Sequence, residues 1–483
     1  MKLEQLLKDI EVVKTNLDLS VEIGDVVYDS RKVTPGSLFV AVAGFATDGN
    51  KYIPMALQKG AVAVVTAAEP AADVPYVQVA SDRLALALIG RNFYGDPAAS
   101  MKLIGVTGTN GKTSSTLLLK YVLETVLGAK VGLMGTMENW IGDVRIPAER
   151  TTPESFDLQG LLAKMRDAGC QYAIMEVSSH AIALDRVAGL HYAVAAFTNL
   201  TEDHLDFHKT MEAYCEAKAQ LFTRCDKAVA NRDDAWFEAM CRNATAPVLS
   251  TSAKGKADLY AENVELRADG IAFTAVSGEK RMPVRLGIPG KFTVYNALTV
   301  LGAALQLGIS LEDTAAALET AKGVCGRVEV VPTPGKPYTL LIDYAHTPDG
   351  LENVLSSVRD FCKGRLIAVF GCGGDRDPIK RPIMGRIGTD IADIAIITSD
   401  NPRTEDPMAI ISDIVAGVDP SKKNYQVVEN RPSAIRLAMD IGEKNDIIVL
   451  AGKGHETYQE INGIKYPLDE REVVAAYLAE TED

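Results

Sequence analysis

One turn constrains this chain more than any other stretch: Gly105-Val-Thr-Gly-Thr-Asn-Gly-Lys-Thr113. Before it runs Met101-Lys-Leu-Ile-Gly-Val106, short, apolar and β-favouring. After it, Leu118, Tyr121, Val122 and Thr125 fall at helical spacing. A strand, a turn containing Gly108 and Gly111, and Lys112-Thr113 opening a helix is the context a phosphate-binding loop needs. Glycines let successive backbone N–H groups converge on an anion, and the helix N-terminus adds partial positive charge. Lys112 is placed to reach the terminal phosphates and the Thr113 hydroxyl to hold Mg²⁺. The strict GxxxxGK[ST] pattern fails, because its first glycine falls on Val106. A chance Gly-Lys-Thr is the alternative, and the flanking strand and helix argue against it. The pattern implies nucleotide binding.

Length and charge narrow the rest. A chain of 483 residues is long enough for about three domains. Its net charge of −14 disfavours nucleic acid or an anionic membrane as a general partner. Any anionic substrate must then be met by local cations, so arginines grouped in loops gain weight. The seven cysteines are odd in number and form no CxxC pair, which predicts reduced thiols in a cytoplasmic protein. Met1–Ile10 is amphipathic with mixed charge, unlike a signal peptide. No apolar run approaches the roughly eighteen residues of a membrane span.

The pattern predicts an α/β protein of three domains. Residues 1–98 alternate short strands and helices, and Tyr94-Gly-Asp-Pro-Ala-Ala-Ser100 is dense in turn residues. Residues 99–326 alternate strands such as Tyr172–Val177 and Val194–Thr198 with helical stretches, as in a parallel sheet with crossovers. Residues 327–483 repeat the alternation through Thr339–Ile342, Leu366–Phe370, Ile394–Ile397 and Ile447–Leu450. Each of these strands ends in a Gly- or Asp-containing loop, where open α/β sheets place ligands.

Several loops after strands carry chemistry. Glu176-Val-Ser-Ser-His180 closes a strand with a carboxylate, a metal-ligand candidate that fits helix capping equally well. Thr198–His208 gathers Asp203, His204, Asp206 and His208, and also reads as an ordinary polar loop. Asp343 ends a strand, where aspartates accept ribose hydroxyls or cap the next helix. Gly371-Cys-Gly-Gly-Asp-Arg-Asp377 resembles a dinucleotide fingerprint, but Arg376 stands where the last glycine belongs, so no nicotinamide site is expected. A glycine turn displaying arginine reads better as a carboxylate or phosphate clamp. Ser399-Asp-Asn-Pro-Arg403 again fixes an arginine in a turn. Ala451-Gly-Lys-Gly-His-Glu456 lacks the Lys-Ser/Thr that would make a second phosphate loop.

Taken together and in order, Thr107–Thr113, Glu176–His180, Asp203-His-Leu-Asp206, Tyr295-Asn296, Gly326-Arg327 and Asp343-Tyr-Ala-His346 resemble the Mur ligases of peptidoglycan synthesis. The resemblance covers all three blocks, and the family's loop tolerates Val106. It implies a central ATP-binding domain of P-loop type with a parallel sheet, an N-terminal UDP-sugar-binding α/β domain and a C-terminal Rossmann-like domain receiving an amino acid. Asp29-Ser-Arg31 with Pro35–Ala41 looks like the nucleotide-sugar domain of the ligase that extends UDP-N-acetylmuramoyl-L-alanyl-D-glutamate. Asp400-Asn-Pro-Arg403 matches the motif selecting meso-diaminopimelate, where lysine-adding relatives differ. The activity implied is ATP-dependent amide formation through an acyl phosphate, in a cytoplasmic monomer.

The resemblance also assigns residues. Gly108, Thr109, Asn110, Gly111, Lys112, Thr113, Ser114, Asn296, Arg327 and Asp343 would contact ATP. Thr113, Glu176, His204 and Lys218 would hold Mg²⁺, with Lys218 carbamylated, although from the sequence alone an exposed helical lysine is the safer reading. Lys112, Lys218, His204 and Arg327 would be catalytic. Ser30, Phe45, Ala46 and Thr47 would meet the UDP end, and Thr151, Thr152, Ser178 and Arg186 the muramoyl-dipeptide. Arg376, Asp400, Asn401, Pro402, Arg403, Gly452 and Glu456 would receive diaminopimelate. Leu184 stands where some relatives carry glutamine. Folylpolyglutamate synthase shares the phosphate loop but should lack the N-terminal UDP domain. A nucleotide-gated binding protein without turnover is the competing class.

Overall fold

The computed structural model describes residues 1–44, 47–71 and 73–481. Phe45 and Ala46 lie outside them. Contacts divide the chain into two compact units, 1–259 with 299–314, and 260–298 with 315–483.

The first unit carries two sheets. The N-terminal one has β1 (Val12–Thr15), β2 (Asp25–Val27), β3 (Ser37–Ala41), β4 (Ala63–Thr66) and β5 (Tyr76–Val79), in the order β1-β5-β4-β3-β2. All its pairings are parallel except β1 with β5. Every residue of β3 and β4 is buried, as expected for parallel strands covered on both faces.

The larger sheet contains β6 (Lys102–Thr107), β7 (Val131–Met134), β8 (Glu138–Ile141), β9 (Val144–Pro147), β10 (Tyr172–Glu176), β11 (Val194–Phe197), β12 (Ala228–Asn231) and β13 (Val248–Ser252). Their order is β13-β12-β11-β6-β10-β7-β8-β9. The pairings from β12 through β7 are parallel, so their carboxyl ends share one edge. The expected all-parallel sheet is extended by antiparallel β8 and β9. Ile141-Gly-Asp-Val144 makes a two-residue hairpin turn there, and Gly142 takes φ +59°. The helix Lys112–Leu127 leaves the phosphate loop and returns at β7.

The second unit holds an antiparallel meander, β14 (Leu259–Arg267), β15 (Gly270–Ser277) and β16 (Lys280–Leu286). It also holds β17 (Glu329–Val331), β18 (Thr339–Asp343), β19 (Leu366–Phe370), β20 (Ile394–Ile397), β21 (Tyr425–Val427) and β22 (Ile447–Ala451), ordered β17-β18-β22-β19-β20-β21. All but β17 run parallel, and the register sets Asp343 beside Ala451. A separate hairpin pairs β23 (Tyr458–Ile461) with β24 (Ile464–Pro467).

Helix packing in this unit leaves no room at Gly385, in the helix Lys380–Ile391. A Cβ there would lie 2.0 Å from the Ile414 carbonyl oxygen of the helix Pro407–Val415. Gly→Ala inside a helix normally stabilises by about 1 kcal/mol. At Gly385 backbone overpacking reverses the sign, and Gly385→Ala should destabilise this unit by about 1–3 kcal/mol. A urea midpoint equal to or above wild type would contradict the packing argument.

Candidate active site

The phosphate loop sits between two parallel neighbours, β10 and β11, with Val106 opposite Glu176 and Thr107 opposite Phe197. Its shape is fixed by backbone and side-chain bonds to the segment after β11. Thr109 N–H donates to the Asn199 carbonyl at 2.8 Å, and Asn110 N–H to Asn199 Oδ1 at 2.9 Å. The Thr198 hydroxyl donates to the Asn110 carbonyl at 2.6 Å. Gly108 adopts φ +148°, and a Cβ there would stand 1.9 Å from Thr198 Oγ1. Gly111 takes φ +82° at the start of the helix. Lys112 Nζ folds back on the loop, donating to the carbonyls of Gly108 at 2.9 Å and Thr109 at 2.8 Å. Ser114 follows, half-buried, in the first turn.

Glu176 is buried, and its carboxylate is the polar centre beside the loop. It accepts from the Thr113 hydroxyl at 3.1 Å, the Thr136 hydroxyl at 2.9 Å and the Thr136 amide at 3.0 Å. Thr136 was not foreseen from the sequence; its signal was only its place just beyond β7. Thr113 and Glu176 offer the hard oxygens that suit Mg²⁺, which usually retains water and phosphate ligands besides one or two carboxylates. The other two expected ligands have different partners here. His204 is exposed at φ +55°, its Nδ1 3.4 Å from Asp203 and its ring edge-on to His180. Although one side of the ring is exposed, packing of the other side against its neighbours lowers its pKa below the ordinary histidine value. Among the described residues no three His, Cys, Asp or Glu side chains gather as a metal cage.

Lys218 is fully buried, not the exposed helical lysine that the sequence alone allowed. Its Nζ donates to the Gly108 carbonyl at 2.9 Å and lies 4.6 Å from the Tyr214 ring centre. Burial, reinforced by Lys112, pushes its pKa well below the usual lysine value. Next to it, burial and His180 push His208 down to about 4, and His208 bonds Ser179 Oγ at 2.9 Å.

A second group lies on the loop before the helix Ser155–Asp167. The Thr152 hydroxyl donates to the Glu176 carbonyl at 2.8 Å and receives the Ser178 amide at 3.1 Å, while Thr151 Oγ1 accepts from Thr136. Ser178 caps the next short helix. Arg186 Nε approaches Glu154 at 3.3 Å, and Arg83 and Arg150 each reach the same carboxylate at 3.8 Å. Three guanidinium groups around one carboxylate leave an excess of positive charge, suited to an anionic ligand. Arg83, Arg150 and Glu154 carried no motif. Outside the strands of the N-terminal region, Ser30 is buried against Met55 and Thr47 is exposed beside Tyr52.

The second unit gathers its candidates at the carboxyl edge of its parallel strands. Asp343 accepts the Val328 and Ala345 amides, both at 2.8 Å; burial raises its pKa against the opposing pull of Arg327. Arg327 stacks over Tyr344 at 5.1 Å, and Asn296 is buried. Asp400 is buried after β20. Burial alone would raise its pKa, yet Lys453 and Arg431 hold it below the ordinary carboxylate value. Asn401 donates to Glu456 at 2.9 Å and accepts from Lys453 Nζ at 3.0 Å. Gly452 takes φ +121°, and a Cβ there would meet Asp400 Oδ2 at 2.6 Å. Gly371 and Gly374 have a packing role that the clamp reading missed: Cβ atoms there would strike the carbonyls of Thr398 and Pro402 near 2 Å (2.1 and 2.0 Å). Arg403 Nη1 donates to the Gly374 carbonyl at 2.7 Å. Arg376 is exposed and bonds the Asp375 carbonyl, so the two loop arginines have separate partners. Lys453 and Arg431, both fully buried, also escaped the sequence reading as partners of this turn.

A glycine loop closed by its own lysine beside a buried carboxylate, at the edge of a parallel sheet, defines a phosphate-loop nucleotide-binding protein. Comparison with known proteins narrows the class. Residues 22–94 match the catalytic domain of the Mur ligase family, 106–304 the Mur ligase middle domain and 326–454 the Mur ligase glutamate ligase domain. A Clostridium botulinum protein named UDP-N-acetylmuramoyl-L-alanyl-D-glutamate--2,6-diaminopimelate ligase is 47% identical over 489 residues, covering 99% of this chain and 100% of its own. One of the same name from Clostridium tetani is 47% identical over 487 residues, again 99% and 100% of the two chains. A solved structure of a ligase of that name is 32% identical with a TM-score of 0.75, covering 100% of this chain and 99% of its own. The chain belongs to the Mur ligase family.

Lys218 gives this site a pH signature. Its native pKa is depressed, so the unfolded chain binds the extra proton. Stability therefore rises with pH between that depressed value and the unfolded lysine value of about 10.4. Lys218→Met removes the buried amine while Lys112 still satisfies the Gly108 carbonyl. In degassed buffer the variant should unfold at higher urea than wild type at pH 7, with the gap closing toward pH 10. An unchanged gap across that range would refute it.

Proposed function

We propose that this chain is an ATP-dependent amide ligase that adds meso-2,6-diaminopimelate to UDP-N-acetylmuramoyl-L-alanyl-D-glutamate in peptidoglycan precursor synthesis. The observation that carries the reading is its full-length match, at 47% identity, to ligases bearing that name.

A carboxylate is a poor electrophile. In the first step an oxygen of the D-glutamyl γ-carboxylate bonds the γ-phosphorus of ATP as the bond to the β-phosphate oxygen breaks, releasing ADP. In the second, the amine of diaminopimelate bonds the acyl carbon, loses a proton and expels phosphate. Phosphoryl transfer asks mainly for positioning and charge neutralisation. The loop amides of 108–114 and Lys112 cradle the phosphates in this reading. Asn296, Arg327 and Asp343 hold the nucleotide, Asp343 through its ribose. Thr113 and Glu176 hold Mg²⁺, with His204 and a carbamate on Lys218, and the ion supplies further charge neutralisation. The buried, depressed amine of Lys218 supports that carbamate, because carbamylation requires the neutral form. Thr151, Thr152, Ser178 and Arg186 hold the dipeptide, and Ser30, Phe45, Ala46 and Thr47 the UDP end.

For the amino acid, charge decides. Diaminopimelate carries one more carboxylate than lysine, and the planar fork of Arg403 suits it. Arg376, Asp400, Asn401, Pro402, Gly452 and Glu456 complete that pocket. The enzyme works in the cytoplasm as a monomer. No described helix is long and apolar enough to cross a membrane.

Incubation with ATP, the nucleotide dipeptide and either amino acid, followed by mass spectrometry, should yield the diaminopimelate adduct with stoichiometric ADP. Carboxylate ¹⁸O should appear in released phosphate; its absence would exclude the acyl phosphate. Lys112→Ala should lower ADP formation by about 10²–10³. Arg403→Ala should erase roughly two decades of preference for diaminopimelate over lysine. Wild-type preference for lysine would defeat the substrate assignment.

A further inference from the structure

Arg403 adopts φ +52°, a conformation that side chains other than Gly, Asn and Asp rarely take. Such strain persists only where the surroundings over-determine it. Here the surroundings are the hairpin β23–β24. Its connection is Asn462-Gly463 at φ +50° and +75°, the two-residue turn that suits twisted strands. A lone hairpin is marginal in water, and its anchorage is the turn after β20. Gln459 Nε2 donates to the Asp400 carbonyl at 2.6 Å, and the Glu460 amide to Asn401 Oδ1 at 3.0 Å. The Arg403 amide donates to the Glu460 carbonyl at 3.0 Å, and the Asn462 amide to the Arg403 carbonyl at 2.7 Å.

The side chains continue this pairing. Glu460 Oε2 lies 3.4 Å from Arg403 Nε, with the two side chains only 26% and 20% exposed. On its other side Arg403 Nη1 is bonded to the Gly374 carbonyl. A guanidinium held by a carboxylate at Nε and a carbonyl at Nη1 cannot rotate freely, and its Nη2 end remains for a ligand. Pairs of this kind matter little on an open surface. This one is largely shielded and fixes a planar fork whose use depends on its orientation.

We propose that Glu460 is a positioning residue for amino-acid selection: it fixes the Arg403 guanidinium so that the fork meets a distal carboxylate without reordering. This rests on the reading that Arg403 receives that carboxylate. Glu460 also sets a negative charge beside the fork. The pocket therefore favours a zwitterionic terminus, with ammonium and carboxylate on one carbon, over a lone anion. Ordering the arginine in advance lowers the cost of binding.

The test compares Glu460→Ala, Glu460→Gln and Arg403→Ala in steady-state kinetics with diaminopimelate and with lysine. Glu460→Ala should raise KM for diaminopimelate about tenfold. It should leave kcat, the KM values for ATP and the nucleotide dipeptide, and kcat/KM for lysine unchanged. Glu460→Gln keeps an oxygen beside Nε but removes the charge, and should recover part of the loss. The hairpin contacts of residue 460 are main-chain bonds, so both variants should melt as wild type does. An unchanged KM for diaminopimelate in Glu460→Ala overturns the proposal, as does a lowered one, which would make Glu460 a competitor for the fork. A parallel loss for ATP and both amino acids, with a lower melting temperature, overturns it in favour of a purely structural role. If Arg403→Ala itself leaves KM for diaminopimelate unmoved, the underlying reading falls and the inference with it. If Arg403→Ala raises KM and Glu460→Ala does not, only the inference falls.

Discussion

Parallel pairing is the constraint on which the rest of this structure depends. Strands that run the same way put all their carboxyl ends on one edge, and each must be followed by a loop before the chain crosses back. In the larger sheet that edge brings the loop after β6 between Glu176 and Thr198. In the C-terminal sheet it brings Asp343, Gly371, Asp400 and Gly452 to neighbouring strand ends. Neither grouping is local in sequence. Both are consequences of register: once Asp343 is opposite Ala451, the loops that follow are neighbours.

Crowding loops at one edge creates two demands, for space and for charge balance. Space is met by glycine where backbones approach each other, as at Gly108 against Thr198 and Gly374 against Pro402. Charge balance is met by cations drawn from distant segments. Arg431, wholly buried, donates to Glu470 at 2.8 Å and to the Ala451 carbonyl at 2.8 Å, and its Nη1 stands 3.8 Å from Asp400. Lys453 faces the same carboxylate at 4.0 Å. Without these partners burial would push the Asp400 carboxyl above its ordinary value instead of below it. The opposite case appears at Lys218, where burial and Lys112 act together to push an amine's pKa well below its ordinary value. At the edge of the C-terminal sheet two buried cations, Arg431 and Lys453, stand where a buried anion must be held.

Much of this was legible in the chain. The apolar run before Gly108 and the helical spacing after Lys112 are local signals, and the structure has β6 and the helix Lys112–Leu127 there. Glu176 and Asp343 were recognisable because a carboxylate ending an apolar strand is conspicuous. The antiparallel additions were not read, although Asn462-Gly463 is a hairpin signal of the strongest local kind; short exposed strands such as Ile464–Pro467 lack the apolar runs used to find the others. Glu154 with its three arginines, Thr136 on Glu176, and the burial of Arg431 and Lys218 lay beyond reach for a different reason. Whether Lys218 or Arg431 is buried depends on partners such as Gly108 and Glu470, dozens of residues away, and no window of sequence contains them.

That difference bears on how the turn after β20 is built. A motif of four residues, Asp400 to Arg403, can be copied as letters without being copied as a surface. The aspartate must be ionised, which Lys453 and Arg431 provide. The asparagine must be oriented, and Lys453, Glu456 and the Glu460 amide occupy its amide group from both ends. The arginine must hold a left-handed backbone, which the hairpin bonds impose. Three of these supports come from one short segment, residues 453–460, which follows β22. The turn and that segment are therefore one structural unit folded from two strand ends. A substitution in either should register in the other's chemistry before it registers in the stability of the fold.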